Sequence, residues 1–302
     1  MFAGTPQVAL ASLRRLLEGP DEVVGVITRP DAPAGRGRRM TASPVAALAV
    51  EAGVPVLKPA HPRDPGFQAE LAALEPDCCP VVAYGALLPA SALAVPRYGW
   101  VNLHFSLLPR WRGAAPVQRA IWAGDPVSGV TTFRIVRELD AGPVYRRLEV
   151  PIAAGETSGE LLARLADVGA GVLAETMWDV AGGVAPRDQP ADGVTLAAKL
   201  EVADARIDWS ARVEVIERLV RACTPDPGAW TLLDGERLKI VRVAKGGQPD
   251  LAPGECSVSK REVQVGTGTR PLRLVSVQPM GKKEMAGADW ARGLRRPEPR
   301  FT

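Results

Sequence analysis

Histidine is scarce in this chain: His61 and His104 are the only two among 302 residues. The four cysteines, Cys78, Cys79, Cys223 and Cys256, include no C-x-x-C pair. So few nitrogen and sulfur ligands argue against both a zinc site and a disulfide framework, and reduced, buried thiols are expected instead. No run of eighteen or more apolar residues occurs, and "MFAGTPQVAL" lacks the basic, apolar and small-residue sections of a signal peptide. The expectation is therefore a cytoplasmic protein with no membrane partner. Also missing are the G-x-x-x-x-G-K-[ST] phosphate loop and the G-x-S-x-G nucleophile turn, and "FAGTP" does not have dinucleotide-site spacing.

What is present is the composition of a globular protein, 46% hydrophobic and 24% charged. A chain of this length exceeds what one core usually supports, which predicts two domains. Net charge is only +3 but uneven. Residues 1–198 carry 18 basic against 20 acidic side chains, a net of −2, and residues 199–302 carry 19 against 14, a net of +5. A basic second part suits a polyanionic partner, although a surplus of five charges is also an ordinary solvated surface.

The first part alternates strand and helix. "TPQVALASLRRLLEG" reads as a helix with Thr5 as N-cap and Leu10, Leu13, Leu16 and Leu17 on one face, followed by a buried strand "EVVGVIT". Ser43 and Pro44 open a second helix, and "VPVL", "VVAYG", "WVNLH" and "GVTTFRIV" read as further strands. Thr157 and Glu160 form a capping box on a long helix that ends in glycines. This pattern predicts an α/β fold with an open, mostly parallel, Rossmann-like sheet whose ligands sit outside the carboxyl ends of the strands. The predicted catalytic domain covers 1–187. Residues 188–203 lose periodicity and read as a linker, and 204–302 read as a small OB-like β-barrel with a frayed end.

Side chains two apart on a strand face the same way, so "VNLHF" puts Asn102 and His104 on one face at a strand's carboxyl end. A polar pair satisfied within the fold is the alternative for such residues, but the position before a turn at the ligand edge favours function. The turn "SLLPRWRG" is apolar where a connecting loop is usually polar. Ser106 and the backbone of Leu107 and Leu108 can meet the polar edge of a flat heterocycle while the leucines cover its faces. A plug for the sheet end reads equally well. "ELDAGPVY" puts Asp140 just past a strand, where it can hydrogen-bond His104 if the strands adjoin, or serve only as a turn residue. The connection "TRPDAPAGRGRRMTASP" is far longer than the ~4–6 residues usual between such elements. It carries Arg36, Arg38 and Arg39 beside glycines, a mobile, positive loop suited to phosphates.

Asn102, His104, Ser106 to Pro109, Arg112–Gly113 and Asp140, in this order, closely resemble the methionyl-tRNA formyltransferases, a branch of the folate-dependent formyltransferase family. The resemblance also runs through "FAGTP", "RPDAPAGRGRRM", "VVAYGALLP", "ARIDWS" and "GKKEMAGADW". It implies transfer of a formyl group from 10-formyltetrahydrofolate, without a metal, to the amine of methionyl initiator tRNA by a monomer. Asn102, His104 and Asp140 are then catalytic. Ser106, Leu107, Leu108, Pro109, Tyr84 and Gly85 line the folate site, and the loop of Arg36, Arg38 and Arg39 meets the tRNA. The rivals are a formyltransferase for another amine, a hydrolase releasing formate, and an RNA binder with a vestigial site. The basic second module argues against the first two and the full set of reacting residues against the third. Three departures stand out. Only Met1 precedes "FAGTP", so the first strand is expected to be nearly absent, through a start placed too late or a shortened central strand. Pro80 follows two cysteines at a strand entry, and Phe105 stands where relatives have a small residue.

Overall fold

A computed structural model describes residues 1–34, 37, 39–247, 250–294 and 299–302. Its contacts divide into two compact units. The first is Met1–Gly113, Val127–Pro151 and Leu162–Ala197, and the second is Ala114–Pro126, Ile152–Leu161 and Ala198–Thr302.

The elements follow in chain order as β1 (Phe2–Gly4), α1 (Leu10–Leu17), β2 (Val26–Ile27), β3 (Ala32–Ala34), β4 (Arg39–Thr41) and α2 (Pro44–Glu51). Next come β5 (Val56–Leu57), α3 (Pro65–Ala73), β6 (Cys79–Val82), α4 (Ala90–Leu93), β7 (Trp100–His104), α5 (Pro116–Ala123), β8 (Val127–Arg134), β9 (Val144–Pro151) and α6 (Ser158–Ala181). The first unit is built on a seven-stranded sheet in the order β5-β2-β1-β6-β7-β8-β9. The neighbours from β5 to β7 pair in parallel. At β8 the direction reverses, and β9 reverses it again. The fold is thus the expected mostly parallel Rossmann-like sheet with a local antiparallel edge. The first strand is short but present: Phe2 and Ala3 are fully buried between β2 and β6.

Several local expectations are corrected. Thr5 does not cap α1; its hydroxyl donates to the Tyr84 carbonyl (2.8 Å), and the helix opens through a 3-10 turn at Gln7–Ala9. Ser43 does cap α2, accepting from Ala46 N–H at 3.0 Å. The long arginine-bearing connection is not a plain loop, because β3 and β4 pair in it as an antiparallel hairpin. Thr157 and Glu160 make the expected reciprocal bonds: Thr157 N–H donates to Glu160 Oε2 and Glu160 N–H to Thr157 Oγ1 (2.8 and 3.3 Å).

The second unit adds α7 (Val213–Ala222), β10 (Trp230–Leu233), β11 (Glu236–Lys245), β12 (Cys256–Val258), β13 (Val263–Val265), β14 (Leu272–Pro279), β15 (Met285–Ala286) and α8 (Gly287–Arg292). Its antiparallel sheet runs β10-β11-β14-β13-β12, with β15 on β14. The chain end is not frayed at residues 299–302. Thr302 exchanges backbone bonds with Leu232 beside β10, while Phe301 N–H bonds Gly254 O, and Cys256 N–H of β12 bonds Pro299 O. The last residues therefore bridge the two outer strands and close the sheet into a barrel, which removes its free edges. Phe301 is buried and stacks on Trp209 at 5.5 Å.

All four cysteines are free, and burial pushes the Cys78 thiol up to about 11 and those of Cys79, Cys223 and Cys256 up to about 12. None is a thiolate at neutral pH. Among the described residues, no helix is long and apolar enough to cross a membrane, and no three His, Cys, Asp or Glu side chains gather as a metal site.

Candidate active site

On β7 the strand alternation places Val101 and Leu103 on one face and Trp100, Asn102 and His104 on the other. Trp100 is buried in a cluster with Phe67 and Leu71, which anchors the polar pair's face at its inner end. Asn102 is half-buried and its side chain makes no hydrogen bond among the described residues. A half-buried amide with nothing to bind is an available donor and acceptor.

His104 is buried, and its Nε2 lies 2.8 Å from the Trp111 carbonyl oxygen. A carbonyl can only accept, so Nε2 carries the hydrogen, and in the neutral ring Nδ1 holds the lone pair. Nδ1 faces Asp140 Oδ2 at 3.7 Å. This corrects the expected hydrogen bond between the two, since 3.7 Å is beyond its range. The carboxylate oxygen accepts instead from Gly113 N–H at 2.8 Å. Burial pushes the His104 imidazole below its ordinary value, with Asp140 and the bond to Trp111 pulling it back in part. The ring is neutral at pH 7.

The route to Asp140 also differs from the expected one. Because β8 runs antiparallel, Arg134 at its carboxyl end pairs with Val101 near the start of β7, not with His104. Asp140 reaches His104 from the loop between β8 and β9. That loop passes close under its neighbours: a Cβ on Gly142 would lie 1.8 Å from Arg134 O, which only glycine avoids. Two non-glycine residues beside His104 sit in the left-handed region, Trp111 (φ 65°) and Asp140 (φ 49°). Such backbone costs about 1–3 kcal/mol each and persists only where surrounding contacts impose it.

The turn after β7 spends its polar groups on itself. Ser106 Oγ donates to Arg110 O (2.7 Å), Leu108 N–H donates to Thr131 Oγ1 (3.1 Å), and that hydroxyl donates to Ser106 O (2.7 Å). Ser106 and Leu108 are buried, and the Ser106 hydroxyl hydrogen and the Leu108 N–H are both engaged within this network. Leu107 and Pro109 are half-buried and present apolar surface. Tyr84 and Gly85 follow the carboxyl end of β6, with Gly85 at φ 83°. The Tyr84 hydroxyl is buried; burial raises its pKa, and the Arg29 guanidinium beside it pulls the other way. Phe105 is buried. Arg39 is exposed at the start of β4, and Arg36 and Arg38 lie outside the described residues.

Sequence reasoning missed Thr131, Gln189 and Thr195, all of which hold the turn or the Asp140 loop through hydrogen bonds. Only Thr131, within a strand the sequence predicts, gave any local signal.

The formyl transferase family profile matches residues 1–177, and the formyl transferase C-terminal domain profile matches residues 199–295. A methionyl-tRNA formyltransferase of Nocardioides sp. is 60% identical over 98% of this chain and 95% of its own length. Among solved structures, an N-formyltransferase from Helicobacter canadensis in complex with folinic acid and dTDP-3-aminofucose is similar at TM-score 0.68 and 14% identity, covering 94% of this chain and 98% of its own. HypX from Aquifex aeolicus in complex with tetrahydrofolic acid is similar at TM-score 0.61 and 18% identity, over 81% of this chain and 43% of its own. These two share the fold. With both profiles matched in order and a relative 60% identical over nearly its whole length, the chain belongs to the formyl transferase family, in its methionyl-tRNA formyltransferase branch.

Proposed function

We propose that this chain moves a formyl group from 10-formyltetrahydrofolate to the free amine of methionine esterified to initiator tRNA, for translation initiation, as a cytoplasmic monomer. The observation that carries the chemistry is the unspent Asn102 amide beside a neutral His104 whose Nδ1 lone pair faces Asp140.

The acceptor is nearly ready by itself. An α-amine titrates near ~7.7–8.0, so at pH 7 removing its proton costs only about 1 kcal/mol. The greater demand is the formyl oxygen, which gains negative charge as the amine attacks. One well-placed donor to it is worth roughly 3 kcal/mol, and Asn102 is the donor with nothing else to bind. His104 keeps its Nε2 hydrogen on Trp111 O, so its basic nitrogen is Nδ1, the one turned to Asp140. That nitrogen takes the amine's proton, and the carboxylate beside it stabilises the imidazolium formed. As the adduct collapses, the bond from the formyl carbon to the folate N10 breaks and the same proton passes to that nitrogen, releasing tetrahydrofolate and restoring the neutral ring.

A flat heterocycle suits the apolar surface that Leu107 and Pro109 present in the turn after His104, with Tyr84 and Gly85 at the end of β6 completing its lining. When bound, the folate supplies the formyl carbon. Ser106 and Leu108 shape the turn, and the left-handed Gly85 lets the chain leave β6. Arg36, Arg38 and Arg39 bind tRNA phosphates, as their number and sign suit.

The test is to mix the protein with 10-formyltetrahydrofolate and charged methionyl-tRNA and look for the formylated ester. Formate release without tRNA, or tight tRNA binding with no product, overturns the reading. Replacing Arg39 by Glu is expected to raise KM for the tRNA several-fold and leave KM for the folate unchanged.

A further inference from the structure

His104 has two polar neighbours, and one stretch of chain holds both. Residues 187–197 are pinned at each end to the first unit. Arg187 exchanges backbone bonds with Val144 (2.7 and 2.8 Å), while Thr195 O accepts Arg112 N–H (2.9 Å) and Ala197 N–H donates to Arg112 O (2.7 Å). From this stretch, Thr195 Oγ1 accepts Trp111 N–H at 2.8 Å, fixing the peptide unit next to the carbonyl that binds His104.

Gln189 lies between the pins. Its Nε2 donates to Asp140 O and to Gly142 O, each at 2.8 Å, and its Oε1 accepts from Arg112 Nε and Nη2 at 3.1 and 2.7 Å. The orientation of the amide is unambiguous: a guanidinium only donates and peptide carbonyls only accept, so the oxygen must face Arg112 and the nitrogen the two carbonyls. Both amide hydrogens are spent on the Asp140 loop, where the backbone of Asp140 is left-handed and needs an external hold.

We propose that Gln189 is a positioning residue for the formyl-transfer site, setting the Asp140 carboxylate against His104 by tying the 140–142 backbone to Arg112. It touches neither substrate; it acts through Asp140. No other amino acid reproduces the junction. Glu keeps an acceptor for Arg112 but turns an oxygen on the two carbonyls, and Met keeps the length with no polar atom to give either side.

This inference rests on the proposed function, so the wild-type full-length chain is assayed first; if it forms no formyl-methionyl-tRNA, that reading fails, whatever Gln189 does. With an active wild type, Gln189→Glu and Gln189→Met are each expected to lower kcat about 10- to 100-fold, the scale of an ångström's misplacement, while KM for both substrates changes less than threefold. The same substitutions are then made in an Asp140→Asn background. There they are expected to cost less than threefold more, because the group they aim is already lost. Multiplying losses in that background, or full kcat in Gln189→Glu, overturn the proposal, the latter by showing that the Arg112 anchor alone matters. Should Gln189→Met melt at the assay temperature, Gln189→Glu decides.

Discussion

The Trp111 carbonyl oxygen sits 2.8 Å from His104 Nε2, and this contact decides which nitrogen of the ring is free for chemistry. With Nε2 holding its hydrogen on a backbone acceptor, the ring cannot offer that hydrogen to a substrate without breaking the bond. Oxyanion stabilisation then falls to Asn102, and proton transfer to Nδ1. Asn102→Ala is expected to lower kcat by about 10²–10³, and His104→Ala by a similar factor, with the folate dissociation constant within threefold of wild type. Steady-state kinetics beside equilibrium folate titration checks this, and equal losses in turnover and binding would reassign both residues to substrate holding.

Burial of His104 also makes stability depend on pH. Its folded value is depressed below the ~6.5 of an exposed imidazole, so the unfolded chain binds the proton more readily than the folded one. The stabilisation is complete above pH ~6.5 and is lost as pH falls toward the folded value. Thermal melts at pH 7.5 and 5.5 are expected to show a drop in Tm for the wild type that is smaller in His104→Gln. An equal drop in both proteins would assign the acid sensitivity to other groups.

Gly113 serves Asp140 and the backbone at once. Its N–H holds the carboxylate at 2.8 Å, its φ is 126°, and a Cβ there would stand 2.7 Å from Ala197 O. Gly113→Ala is therefore expected to cost about 1–3 kcal/mol in urea unfolding through strain and to lower kcat, since the shifted N–H no longer fixes the carboxylate. Unchanged stability with full activity would mean that the turn has another backbone path.

Regular, local features were legible in the sequence. Ser43 and Pro44 announced α2, Thr157 and Glu160 announced α6, and the period-2 pattern of "WVNLH" gave β7 with its two polar residues on one face. What escaped was decided by distant partners. Thr5 looks like a helix cap, but its hydroxyl finds the Tyr84 carbonyl 79 residues away. The reversal at β8 cannot be read from "GVTTFRIV", since a buried strand has the same pattern in either direction. Residues 187–197 have no period because their hydrogen bonds go to loops, and so a stretch that carries Gln189 and Thr195 read as a linker. Ser106 could be placed in the turn, but not the direction of its hydroxyl, which Arg110 O decides.

The chain end gave the opposite error, since "PRFT" has too few residues to show a strand yet closes the barrel of the second unit. Phe301 is the residue that fixes it there, 3% exposed, stacked on Trp209 and 5.9 Å from Trp290. Removing the ring leaves a cavity among aromatic neighbours and loosens the backbone bonds that 299–302 make to both outer strands. Phe301→Ala is expected to cost about 3–5 kcal/mol, a large share of a domain's net stability. Because a lost stave reopens two sheet edges, deletion of 299–302 is expected to be worse than the single substitution and to cause aggregation. Hydrogen exchange locates the effect: amides of β10 and β12, the strands the tail bridges, should lose protection in Phe301→Ala before those of β7. Retained protection in β10 and β12 would show that the barrel stays closed without the tail's aromatic anchor.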